Sequence, residues 1–98
     1  MPKTKTRPYD VAEYLKTDED VAAYLEAALE DGDPDIIIEA LRDIARARGI
    51  ARIAREVGMN RDALTKELST KGRPEFTTVL KIVRALGLRL HAEPVGGS

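Results

Sequence analysis

The sequence predicts an all-α protein, in which a bundle of short helices contains a helix-turn-helix and ends in a short C-terminal β-strand. Apolar residues recur at helical spacing along most of the chain, and glycines and capping residues divide it into short segments. Of the 98 residues, 43% are apolar and 34% are charged, which is typical of a globular domain. A chain of this length buries one modest core, which argues against two enzyme-sized domains.

Two long helices and a shorter one are predicted in the first half of the chain. Thr17 is expected to begin a helix with acids in its first turn, and Gly32 to end it. A shorter helix is expected before it, over residues 10–15. Asp33 as N-cap and Pro34 as first residue predict a second helix that ends at Gly49. We assign residues 1–33 to an N-terminal acidic extension and residues 34–98 to a helix-turn-helix domain.

The helix-turn-helix is predicted from two apolar segments separated by a very short turn. The first segment ends at Gly58, and Asn60 caps the second, whose Leu64 and Leu68 face inward. So short a turn forces the two helices to cross steeply, and the second then projects as a rod that fits a DNA major groove. After a polar loop over 69–75, a last helix is expected to bury Phe76, Val79, Leu80, Val83 and Leu86 and to end at Gly87.

The C-terminal segment alternates apolar and polar residues, which predicts a half-buried strand that Pro94 stops. Because the chain offers it no partner strand, the segment is expected to pair with a strand of another protein or with the same strand of a second copy, which is the simpler solution and would form a homodimer. The predicted dimerisation residues are Leu88, Arg89, Leu90, His91 and Ala92. The alternative is an extended tail that only packs its leucines on the core.

Charge is distributed unevenly along the chain, although the net charge is -1. Residues 1–9 carry a charge of +3, residues 10–35 carry -9 and residues 36–98 carry +5. This asymmetry predicts two surfaces with different partners, one of which tolerates polyanions. The simpler explanation is that acids favour helix N-termini.

Composition also excludes several functions. With no cysteine and a single histidine, the chain lacks a disulfide framework, a thiolate nucleophile and the usual zinc ligand sets. It contains no catalytic constellation, so we expect neither an enzyme nor a cofactor or metal requirement. It also has no apolar stretch of membrane-spanning length, and we expect a cytoplasmic protein.

Two resemblances to known families follow from particular motifs. Residues 50–88 resemble the lambda-repressor-like (Xre/Cro) helix-turn-helix domain, in Ile53-Ala54, Gly58-Met59-Asn60-Arg61 and Thr78-Val79-Leu80-Lys81-Ile82-Val83-Arg84-Ala85-Leu86-Gly87. Nearly the whole chain resembles the probable addiction module antidote proteins, which are HigA-like antitoxins, in Tyr14-Leu15, Ala23-Tyr24-Leu25, Ala28-Leu29-Glu30-Asp31-Gly32-Asp33-Pro34, Ile44-Ala45-Arg46-Ala47-Arg48-Gly49, Pro74-Glu75-Phe76 and Leu88-Arg89-Leu90. These resemblances imply an antitoxin that neutralises a RelE/HigB-like toxin and binds double-stranded operator DNA to repress its own operon.

The candidate DNA-binding residues lie on or beside the second helix of the helix-turn-helix. Arginine can contact guanine, asparagine can read adenine, and threonine and lysine can contact phosphate. The residues expected to face outward are Asn60, Arg61, Asp62, Thr65 and Lys66, and the basic residues that flank the unit are Arg52, Arg55, Lys71 and Arg73. Asp62 could accept from cytosine, or it could lie in the first turn because the helix dipole favours an acid there.

The candidate toxin-binding residues come from the acidic extension. A toxin that acts on RNA needs a basic site, which an acidic helix pair can occupy with the help of electrostatic steering. The residues are Tyr14, Glu19, Asp20, Tyr24, Glu26 and Glu30. Two alternatives remain: the acids form only a solvated face, or the chain is a protein-interaction inhibitor whose helix-turn-helix no longer binds DNA.

Overall fold

The computed structural model describes residues 11–69 and 73–97, and every regular element among them is helical. The elements are a 3-10 helix at Val11–Tyr14, then α1 (Asp18–Asp31), α2 (Pro34–Arg48), α3 (Ile50–Val57), α4 (Arg61–Glu67), α5 (Phe76–Ala85) and a 3-10 turn at Val95–Gly97. The predicted all-α bundle is therefore confirmed. No helix in the described ranges is long and apolar enough to cross a membrane.

The ends of α1 form as the sequence predicts. The Asp20 amide donates to Thr17 Oγ1 (3.0 Å), and the Thr17 amide donates to the Asp20 carboxylate (3.2 Å), which completes a capping box. At the other end, Gly32 adopts a left-handed conformation, and its amide donates to the Ala28 carbonyl (3.1 Å). These interactions satisfy backbone groups that have no partner within the helix.

A single glycine separates α2 from α3. The Asp33 side chain accepts from the Asp35 amide (2.9 Å) at the start of α2, with Pro34 as the first helical residue. Gly49 then ends α2 and begins α3 with a φ of 101°, a conformation that L side chains rarely adopt. The chain can therefore change direction at one residue.

The turn between α3 and α4 contains Gly58, Met59 and Asn60. Gly58 has a φ of 80°, and the Met59 amide donates to the Ala54 carbonyl (2.9 Å) across the end of α3. The Asn60 side-chain oxygen accepts from the Ala63 amide (2.7 Å), which caps α4. The two predicted helices and their short turn are thus present, and α3 also packs against α5.

One continuous core joins all five helices. Its members are apolar and buried: Leu15, Val21, Leu25, Leu41, Ile44, Ala45, Ile53, Ala54, Leu64, Leu68, Ile82, Val83 and Leu86. The expectation that Phe76 and Leu80 are buried is wrong, because they are 68% and 37% exposed. The inward face of α5 is centred on Ile82, Val83 and Leu86, and Phe76 and Leu80 lie to one side of it at helical spacing.

The predicted C-terminal strand is not seen among the described residues. Residues 88–94 have no regular secondary structure, while Leu88 and Leu90 are half-buried and pack against the core. The Leu88 amide donates to the Val83 carbonyl (3.1 Å), which fixes the start of the segment to α5. A strand needs a neighbouring strand for its hydrogen bonds, and within these residues the segment instead gains its stability from apolar packing.

Candidate functional site

Helix α4 is held in place by two buried leucines and by a hydrogen bond at each of its ends. Leu64 and Leu68 are fully buried and attach the helix to the core. From α2, the Arg42 guanidinium donates to the Leu68 carbonyl (3.2 Å), which satisfies a backbone acceptor at the end of α4. Together with the Asn60 cap, these contacts give a seven-residue helix a fixed position on the core.

The outward face of α4 carries the residues expected from the sequence. Arg61, Asp62, Thr65 and Lys66 are all exposed. The Thr65 hydroxyl donates to the Arg61 carbonyl (2.9 Å), so its proton is already used within the helix. We call these four residues the α4 face.

Asn60 has a structural task that competes with the expected reading of adenine. Its side-chain oxygen accepts from Ala63, whereas a bidentate contact with adenine uses both the oxygen and the NH2 group of the amide. In this conformation only the NH2 group of the Asn60 side chain remains available for a contact with DNA. The strongest expected base contact on the α4 face therefore comes from Arg61.

The basic residues that flank α4 differ in their surroundings. Arg52 pairs with Glu56 across one turn of α3 (3.1 Å), and both side chains are 44% exposed. Arg55 and Arg73 are exposed. Lys71 lies outside the described residues.

The charge of α1 is opposite to that of the residues around α4, because α1 carries six acidic residues and no basic one. Two of the six have structural tasks: Asp18 pairs with Arg48 of α2 (2.8 Å), and Asp20 belongs to the capping box. Glu19, Glu26 and Glu30 are exposed and form no ion pair with any described residue. Of the predicted toxin-binding acids, Asp20 is thus needed by the fold, and the other three are not.

The two predicted aromatic contacts also differ. The Tyr24 hydroxyl donates to the Asp43 carboxylate (2.7 Å), and its ring is half-buried between α1 and α2. Tyr14 ends the first 3-10 helix and is 60% exposed. Tyr24 therefore contributes mainly to the packing of α1 on α2, and Tyr14 presents more surface to a partner.

A groove between α1 and the C-terminal segment brings together residues that the sequence assigned to separate surfaces. Its volume is about 340 Å³. We call it the α1 groove, and its lining residues are Ala22, Leu25, Glu26, Leu29, Glu30, Leu88, Arg89, Leu90, His91, Ala92 and Glu93. Two predicted toxin-binding acids and all five predicted dimerisation residues thus share one groove.

Sequence reasoning missed this groove because its two walls are about sixty positions apart in the chain. Hydrophobic periodicity reports only which face of an element is buried, not which other element covers it. The sequence shows only that Leu29 shares the apolar spacing of α1, and the structure leaves it 41% exposed. Across residues 11–69 and 73–97, no group of three or more acidic or histidine side chains could hold a metal ion.

The chain is similar to a family model and to a relative from another organism. A family model described as "Probable addiction module antidote protein" matches residues 5–94. A protein of Haemophilus influenzae, described only as uncharacterized, is 41% identical over 87 residues, which cover 89% of this chain and 90% of the relative. No solved structure matches the chain significantly.

Proposed function

This chain belongs to the family of probable addiction module antidote proteins, and we propose that it is the antitoxin of a type II toxin–antitoxin module. In this proposal it binds and neutralises a RelE/HigB-like toxin and also represses its own operon by binding operator DNA. Both activities depend on binding surfaces alone, require no cofactor and take place in the cytoplasm.

The DNA-binding activity is supported by the arrangement of α4. A short helix fixed on the core by two buried leucines and capped at both ends presents Arg61 and Lys66 outward. An exposed arginine can contact the O6 and N7 atoms of guanine, and a lysine can contact phosphate. We propose that α3 and α4 form a lambda-repressor-like helix-turn-helix, with α4 entering the major groove.

We further propose that the DNA-binding form is a homodimer. Residues 88–92 would pair with those of a second copy across a two-fold axis, placing two α4 helices about one DNA turn, roughly 34 Å, apart. The support is the position of this segment at the surface, where Leu88 and Leu90 are half-buried and the polar side chains of Arg89 and His91 are exposed. An operator with two symmetric half-sites is the expected consequence.

A gel-shift experiment tests the repressor function directly. The DNA upstream of the protein's own gene should be retarded by the purified chain, with or without the product of the neighbouring open reading frame. Arg61→Ala should relax base preference and cost about 1–3 kcal/mol of binding free energy. Unchanged operator affinity in an Asn60→Ala, Arg61→Ala, Lys66→Ala variant would remove α4 from the DNA interface.

A second candidate function is an inhibitor that binds the toxin but not DNA. The observations in its favour are that Asn60 is occupied as an N-cap, Arg52 is paired with Glu56, and Asp62 adds a carboxylate to the α4 face. Retained toxin binding without any gel shift would select this candidate.

A further inference from the structure

We infer that the α1 groove holds a basic, amphipathic segment of the toxin, with the C-terminal segment as its second wall. This inference rests on the proposed antitoxin function and assigns the toxin-binding surface within it. It replaces the broad acidic face expected from the sequence with one bounded site.

The floor of the groove is apolar and already fixed by the fold. Leu25 is buried in the core, and Leu88 and Leu90 pack against the same core from the C-terminal segment. Leu29 remains 41% exposed at the groove. A volume of about 340 Å³ suits a few apolar side chains of a docked segment, and covering Leu29 would remove further apolar surface from water.

The rim of the groove is negatively charged. It carries the carboxylates of Glu26, Glu30 and Glu93 against the single guanidinium of Arg89. Glu26 and Glu30 form no ion pair with the described residues, so a partner can use them without breaking a contact of the fold. Lysine or arginine side chains beside an apolar anchor are the complementary chemistry, and they would also be steered toward the rim.

The same charges argue against a second copy of this chain inside the groove, whereas the proposed pairing of residues 88–92 with a second copy would use their backbone groups and leave the space between this segment and α1 open. A two-fold symmetric contact across the groove would place the acidic rims of two copies against each other. Like charges brought together at an interface oppose association. The basic toxin segment is therefore the occupant that the groove favours.

Charge reversal in the full-length chain tests the inference, with the protein encoded beside its gene as the binding partner. Glu26→Lys combined with Glu30→Lys should slow association roughly tenfold or more at low salt, and the difference should shrink as salt rises. The control is Asp31→Lys combined with Glu39→Lys, which changes the net charge equally in a separate depression between α1 and α2 but also removes the Glu39–Arg42 pair and an acceptor of the Asp33 amide. The control should retain most of the wild-type rate.

Two further variants probe the other wall and the floor. Arg89→Glu should speed association, because it removes the one guanidinium that opposes a basic segment. Leu29→Ser should raise the dissociation rate with little dependence on salt, because it removes an apolar contact. Thermal unfolding of each variant checks that the fold is intact.

The outcomes separate this inference from the proposed function. If the wild-type chain binds the neighbouring gene product but groove and control variants behave alike, the toxin binds elsewhere and the inference is wrong. If Arg89→Glu slows association, the occupant is not basic. If the wild-type chain does not bind that product at all, the antitoxin proposal itself fails, and the groove assignment fails with it.

Discussion

Helix α1 and the α3–α4 unit use their polar residues in opposite ways. In α1, Glu19, Glu26 and Glu30 have no ion-pair partner among the described residues, while the helix ends are held by separate caps. In α3 and α4, many polar groups hold the unit together: Asn60 caps α4, Thr65 bonds the Arg61 carbonyl, and Arg52 pairs with Glu56.

This difference indicates where recognition can change without loss of the fold. Glu19, Glu26 and Glu30 of α1 can be substituted with little effect on stability, since exposed charges without a partner contribute little to it. On the α3–α4 unit, a substitution can alter both the shape of the helix pair and its proposed contacts with DNA. Experiments on the unit therefore need variants that preserve its internal hydrogen bonds.

The largest effect on stability is expected when one leucine in each of the two regions is truncated to alanine. Leu64 is fully buried under α4, whereas Leu29 on α1 is 41% exposed. Leu64→Ala should lower the free energy of unfolding by about 2–5 kcal/mol, because it leaves a cavity and removes buried apolar contacts. Leu29→Ala should lower it by less than about 1 kcal/mol. Urea denaturation followed by circular dichroism measures both, and equal losses would mean that α4 is not anchored through Leu64.

Removal of the C-terminal segment should give the next largest effect. Deletion of residues 88–98 should produce a monomer and weaken operator binding by roughly 100-fold, because one half-site is then engaged without the other. Deletion of residues 94–98 is the control, since it leaves the proposed dimer contact intact. Sedimentation equilibrium reports the mass, and a full-length chain that stays monomeric at high micromolar concentration would overturn the dimer.

Most helix ends of this fold can be predicted from the sequence because their causes are local. Thr17, Asp33 and Asn60 form N-caps, and Gly32, Gly49 and Gly58 end helices, through hydrogen bonds and backbone angles that involve only nearby residues. Phe76 was expected to be buried and is exposed, and the cause of this difference is not local. Apolar spacing cannot distinguish the centre of a buried stripe from its edge when the packing neighbour is unknown.

The candidate site could be predicted only in part for the same reason. The outward position of Arg61 and Lys66 follows from the buried spacing of Leu64 and Leu68 within one helix. The α1 groove depends on the C-terminal segment folding back along α1, and no local pattern encodes that contact. The structural task of Tyr24 was missed likewise, because its partner Asp43 lies nineteen residues away.

A smaller effect is expected at Asn60, where two roles of one side chain can be separated. Asn60→Ala should cost about 1 kcal/mol of stability through loss of the N-cap. Asn60→Ser should retain the cap and most of the stability while removing the amide NH2 group. If that group contacts DNA, the serine variant will bind the operator more weakly despite a normal unfolding midpoint. Wild-type operator affinity in Asn60→Ser would restrict Asn60 to capping, and Thr17→Ala gives the corresponding cap loss in α1.

The smallest effect on stability is expected at Arg52, and it tests whether the α3–α4 unit has a cation available for phosphate. Arg52 and Glu56 form an exposed pair one turn apart, so Arg52→Ala should change the free energy of unfolding by only about 0.3–0.5 kcal/mol. If Arg52 leaves Glu56 to contact a phosphate, the variant should bind all DNA sequences more weakly, and the slope of log affinity against log salt should fall by about 1. Glu56→Gln is the matched variant, because it frees the guanidinium and should strengthen DNA binding without altering base preference. Salt titrations of both variants with operator and random DNA measure whether Arg52 contacts a phosphate. An unchanged slope in Arg52→Ala would show that the arginine stays paired with Glu56 in the complex.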